Sequence, residues 1–171
     1  FCNILTEQEG NPTIAYYTDA SKTLSYGYQE EGSWQRESVE CGNGTGMGVR
    51  LLCDSHGEHH ALYYSGDGYL IHDWRKLRDD KAVVAKKKPP SDNSIKQPAG
   101  IWGIERVEKA NGSEKVRLSF VLQPNGGFAA SYLHWSGLSS QLKIALKSED
   151  GQWKTEVVAR EYNPGKQSFI F

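Results

Sequence analysis

The pattern W-x-x-E-x-V occurs three times, at Trp34–Val39, Trp102–Val107 and Trp153–Val158. Three copies in 171 residues make internal repetition the main constraint on the fold. A chain of similar units must bury the same surface of each unit against its neighbour. The spacing inside the pattern adds a geometric point. On an extended strand the Glu at +3 and the Val at +5 share one face, and the Trp points to the other.

The repetition extends upstream of each Trp. Segments 12–17, 59–64 and 127–132 read PTIAYY, HHALYY and GFAASY. Each is preceded by a turn residue (Gly10, Gly57, Asn125), and before that by an apolar residue (Leu5, Leu52, Phe120). Each is followed by a polar turn and a short alternating run: Leu24–Tyr28, Leu70–Trp74 and Leu142–Leu146. Period-2 alternation bounded by Gly, Asn, Asp and Ser reads as strands, not helices. Each unit is therefore strand, turn, strand, turn, strand, turn, strand, the fourth strand beginning at the Trp. In the second unit the first three strands fall near Val49–Cys53, His60–Tyr64 and Leu70–Trp74.

Tyr17 and Tyr64 are 47 positions apart, whereas Tyr64 and Tyr132 are 68 apart. Tyr28 precedes Trp34 by 6 residues and Trp74 precedes Trp102 by 28, so the excess is an insert at about 78–98. It carries Lys86–Lys88 beside Pro89 and Pro90, the composition of a solvated loop rather than of a shaped anion site. The units are about 1–46, 47–111 and 112–165 of a single domain, with 166–171 resembling the start of a further first strand.

Four short antiparallel strands repeating every ~40–50 residues are the signature of a β-propeller blade. The predicted fold is all-β, with about three four-stranded blades per chain. Three blades do not close a ring. Either two copies pair into a six-bladed homodimeric ring, or the chain is part of a longer propeller; the homodimer is the preferred expectation.

Pro12–Val39, read as P-x-I-A-Y-Y-x6-L-x-Y-x7-W-x-x-E-x-V, resembles the blade repeat of fungal fucose-specific lectins and related bacterial propeller lectins. The resemblance covers nearly all of the chain outside the insert. It implies a propeller that binds sugar between blades. Those lectins use an Arg on the second strand and a Glu on the third; here the positions hold Ala15, Leu62 and Ala130, and Tyr26, His72 and Ile144. The resemblance therefore implies a recognition protein without implying fucose.

Charge is balanced, with 20 Lys+Arg against 21 Asp+Glu, which leaves no basic footprint for nucleic acid. No apolar run is long enough for a membrane-inserted span. Asn43-Gly-Thr45 and Asn111-Gly-Ser113 are glycosylation sequons, and position 1 is Phe; both are compatible with a secreted protein. Cys2, Cys41 and Cys53 form an odd set; Cys41 and Cys53 flank a Gly-rich turn and could bridge, or could stay reduced and buried.

His56-Gly-Glu58-His59-His60 is the densest cluster of ligand-type residues. On a strand His59 and His60 face opposite ways, so they make no convergent pair, and no metal or cofactor is expected. Ser148–Trp153 resembles the Asp-box turn of sialidase propellers, a structural device. Glu37, Glu105 and Glu156 recur at equivalent positions, which argues for repeated structure or repeated binding rather than for a single acidic pair of glycosidase type. Aromatic faces that stack on sugar rings remain. The ligand-binding candidates are Trp34, Trp102, Trp153, Tyr26, His72, Trp74, His134 and Trp135. The expected function is non-enzymatic glycan recognition in repeated pockets between blades. A protein-interaction scaffold without a small ligand is the alternative, and a propeller glycoside hydrolase is disfavoured.

Overall fold

The computed structural model describes residues 2–6, 10–18, 23–30, 32–39, 47–76, 101–110, 117–136, 139–148 and 150–162. The insert at 78–98, Cys41, the sequon residues Asn43 and Asn111, and segment 166–171 lie outside the described residues.

Among the described residues the structure is all strand. The first sheet holds β1 (Cys2–Thr6), β2 (Pro12–Thr18), β3 (Thr23–Glu30) and β4 (Ser33–Val39). The second holds β5 (Met47–Cys53), β6 (His59–Tyr64), β7 (Tyr69–Lys76) and β8 (Ile101–Lys109). The third holds β9 (Leu118–Leu122), β10 (Phe128–Ser136), β11 (Ser139–Lys147) and β12 (Trp153–Tyr162). Each sheet is an antiparallel meander in sequence order. The first strands sit together, with β5 against β1 and β2 on one side and β9 on the other. This is a three-blade, propeller-like fold.

Strand alternation explains why the sheets stack. β6 (HHALYY) is buried at all six positions, because its two faces serve two interfaces. Ala61 and Tyr63 join Ala15, Leu24, Tyr26, Val39 and Val49 between the first and second sheets. Leu62 and Tyr64 join Leu118, Phe120, Phe128, Ala130 and Tyr132 between the second and third. Each large apolar side chain removed from water in this way contributes about 1.5–3 kcal/mol. The Tyr64 hydroxyl spans the second interface and donates to the Leu133 carbonyl at 2.9 Å, so its buried O–H is satisfied.

The turns carry the expected residues. Gly32, Gly68 and Gly151 take φ values of 75°, 85° and 83° in the third hairpin of the first sheet, the second of the second and the third of the third. At the first hairpin of the third sheet Asn125 lies in the turn, and the left-handed residue beside it is Gly126. Gly has no Cβ to oppose that conformation, and Asn125 instead accepts from the Gly127 amide at 3.1 Å through its side chain.

Candidate functional site

The fourth-strand pattern has a specific use between sheets. Trp102 and Arg75 are cross-strand partners on β8 and β7. Both reach back to Glu37 on β4 of the preceding sheet. Arg75 donates to both Glu37 oxygens, at 2.9 and 3.3 Å, and the Trp102 indole N–H donates to Oε2 at 3.1 Å. The Arg75 guanidinium also lies 4.6 Å from the Tyr28 ring centroid and 5.5 Å from that of Tyr26. The Tyr26 hydroxyl meets His59 Nδ1.

The next interface repeats the arrangement one blade on. Glu105 of β8 accepts from the Trp153 indole at 2.8 Å and from Lys147, the cross-strand partner of Trp153. Here His72 takes part as well, its Nδ1 lying 2.6 Å from the same Glu105 oxygen. Burial opposes the Glu105 charge, but these three donors outweigh it and hold the carboxyl down at about 2. Burial likewise holds His72 below the ordinary imidazole range. The Glu at +3 of one blade is thus clasped by the Trp at 0 and a cation of the next.

Above this clasp opens a cleft of about 310 Å³, lined by Asp54, Ser55, His56, Glu58, His60, His72, Trp74, Gly126, Phe128 and Lys147. Trp74 forms its aromatic wall. The indole lies against the backbone of Gly103, its cross-strand partner; a Cβ there would fall 2.2 Å from two ring atoms. Lys147 Nζ stands 5.3 Å from the Trp74 ring centroid. Opposite, the β5–β6 turn presents acids. Asp54 Oδ1 accepts from the amides of His56 and Glu58 at 2.8 Å each, which fixes the carboxylate at the rim. His60 lies edge to edge with His72, ring planes 3° apart and centroids 5.2 Å apart, and its Nδ1 is 3.0 Å from His72 Nε2. Burial, reinforced by His72, pushes His60 down to about 4.

The eight candidate residues separate in space. Trp102 and Tyr26 meet between the first and second sheets, edge to face at 5.3 Å. His72, Trp74 and Trp153 come together between the second and third. Tyr26 and His72 are 0% and 1% exposed and act from inside the interfaces; Trp74 alone of the eight lines the cleft with an accessible ring. Trp34 is 52% exposed on the outer strand of the first sheet. His134 is half-buried with Nδ1 3.9 Å from Glu108, and the neighbouring Trp135 amide donates to the Ala110 carbonyl at 3.3 Å. Arg75, Lys147, Asp54 and Glu58 were not foreseen as site residues. Aligning the three third strands would have exposed the first two, since Gln29, Arg75 and Lys147 occupy one repeat position opposite the Trp.

No protein-family profile matches the chain, and no curated protein matches it.

Proposed function

We propose that the protein is a secreted, non-enzymatic recognition protein that binds carbohydrate in the cleft between the second and third sheets. One observation carries this reading: the Trp74 indole, seated on Gly103, walls a cleft whose opposite rim holds carboxylates and imidazoles. A flat ring stacks on the C–H face of a sugar, and fixed acceptors take its hydroxyls. Cleft sites of this kind combine one aromatic wall with a few placed polar groups. The repeat-equivalent acids Glu37 and Glu105 are engaged as clasp acceptors, which supports binding over acid–base chemistry. The test is a glycan array with the native chain and Trp74→Ala. Hits that vanish in the variant support the reading; a blank array with a folded protein favours the interaction scaffold.

A second copy of the chain completes the proposal. The first sheet offers an exposed Trp34 with Gln29 across the strand, and the third offers an exposed Glu156. These are the two halves of the clasp that joins the internal sheets, with an amide in place of the cation. Two copies joined head to tail through both halves would make a closed six-sheet ring. Light scattering tests it: a dimer that Trp34→Ala or Glu156→Ala reduces to monomer supports the pairing, and a monomeric native chain overturns it.

A further inference from the structure

We propose that the rim of the cleft is a site for a divalent transition-metal ion, ligated by Asp54, Glu58 and His60, with His56 as a fourth ligand from the surface. The proposal stands apart from the glycan reading, because it concerns the ion alone.

The first observation is convergence. Asp54, Glu58 and His60 each offer a ligand atom within 4.8 Å of the others. Donors on a tetrahedral ion with bonds of 2.0–2.2 Å stand ~3.4 Å apart, so small rotations of Asp54 and Glu58 in the turn toward His60 on β6 close the set. With Oδ1 of Asp54 held by two amides, its Oδ2 is left facing inward, 3.5 Å from His60 Nε2 and 3.5 Å from His56 Nδ1.

The second observation concerns His60 itself. His60 is 5% exposed, and its Nε2 has no hydrogen-bond partner. The ring is fixed by the neighbouring His72, which lies in the same plane. The Glu105 carboxylate can only accept, so His72 Nδ1 bears the proton of that 2.6 Å bond. On its other side His72 Nε2 lies 3.0 Å from His60 Nδ1, a contact that holds the His60 ring in place. His60 Nε2 faces the Asp54 carboxylate, 3.5 Å from its Oδ2. That spacing is close to the ~3.4 Å between neighbouring donors on a tetrahedral ion.

The arrangement also matches how proteins prepare a metal-binding histidine. Such a ring donates its other N–H to a fixed acceptor, which sets the tautomer and the orientation. Here the other nitrogen of His60 meets His72, itself anchored on Glu105. Imidazole with carboxylates is a ligand set for ions of the zinc type, softer than those that calcium or magnesium take.

The test is titration of chelator-treated protein with Zn²⁺ by calorimetry, and with Co²⁺ by visible absorption, which reports coordination geometry. One ion per chain is expected. Glu58→Gln, a change on the partly exposed turn, and Asp54→Asn, which can keep the turn-capping oxygen, should each weaken Zn²⁺ binding by more than the about 10–100-fold typical of losing an outer partner. Asp67→Asn, an exposed carboxylate in the turn at the other end of β6, should bind as the native chain does. His60→Gln, checked for folding by circular dichroism, should abolish the Co²⁺ spectrum. Failure to bind Zn²⁺, or binding that Asp54→Asn and Glu58→Gln leave unchanged, overturns the proposal.

Discussion

Glu37 of the first sheet and Arg75 of the second form a two-point ion pair with both side chains almost wholly buried, at 2% and 7% exposure. Such a pair gains little over an apolar contact, but breaking it is costly, because the surviving charge stays buried without its partner. Glu37→Ala should therefore destabilise the protein by about 3–5 kcal/mol in urea denaturation. Arg75→Ala together with Glu37→Ala should cost clearly less than the two single losses added. Additive losses would mean that the pair is not coupled and that the first clasp does not join the sheets.

Two glycines should fail for different reasons. Alanine at Gly103 puts a Cβ into the Trp74 indole, at 2.2 Å from Cε2 and Cζ2. The indole must leave its seat, at the ~1–3 kcal/mol typical of overpacking. Alanine at Gly32 meets nothing within 4 Å and suffers only from the φ of 75°, a backbone cost of about 1–2 kcal/mol. Tryptophan fluorescence separates the cases: Gly103→Ala should shift the emission of Trp74 and Gly32→Ala should not. An unchanged spectrum in Gly103→Ala would show that the indole does not rest on that backbone.

The clasp was half legible in the sequence. W-x-x-E-x-V puts Trp and Glu on opposite faces by parity alone, and opposite faces are what Trp102 and Glu37 need to meet across a gap between sheets. The cations were hidden because Arg75 and Lys147 lie outside the pattern, on the neighbouring strand, and only the register opposite Trp102 and Trp153 reveals them. The parity of His59 and His60 was also readable: His59 turns to Tyr26 and His60 to Phe128. The partners His60 finds were not. Asp54 sits six positions earlier, and a hairpin that pairs Cys53 with His59 swings it alongside. A linear reading sees a single histidine-rich run where the fold assembles a site from both arms of a turn.

Glu105 should give the protein an acid-sensitive seam between its second and third sheets. Its carboxyl is lowered from 4.5 to about 2 by His72, Lys147 and Trp153, against the effect of burial. A carboxyl lowered by folding contributes stability above its unfolded value, and that contribution is lost as pH falls through the folded one. The window is about pH 5 to 2, and the loss is on the order of 3 kcal/mol. Denaturation midpoints for the native chain should fall steeply across this window, and those for Glu105→Gln should fall less. Parallel curves would mean that another carboxylate sets the acid limit.

Asp73 should act in the opposite direction. Its side chain is wholly buried, with Oδ2 taking the Tyr63 hydroxyl at 2.8 Å and Oδ1 without a donor. Burial outweighs the Tyr63 bond and raises the carboxyl from 3.8 to about 7. An acid raised by folding stabilises the protein in its protonated form. The contribution is complete below pH 3.8 and lost as pH rises toward 7, by on the order of 4 kcal/mol. Asp73→Asn keeps the shape and cannot ionise, although its buried amide lacks an evident acceptor and should cost about 1–3 kcal/mol at low pH. The native chain should thus be the more stable of the two at pH 4, and that advantage should shrink or reverse by pH 8. Equilibrium urea unfolding of both proteins at pH 4, 6 and 8 measures the difference. A constant gap across the three would show that Asp73 ionises alike in the folded and unfolded chains.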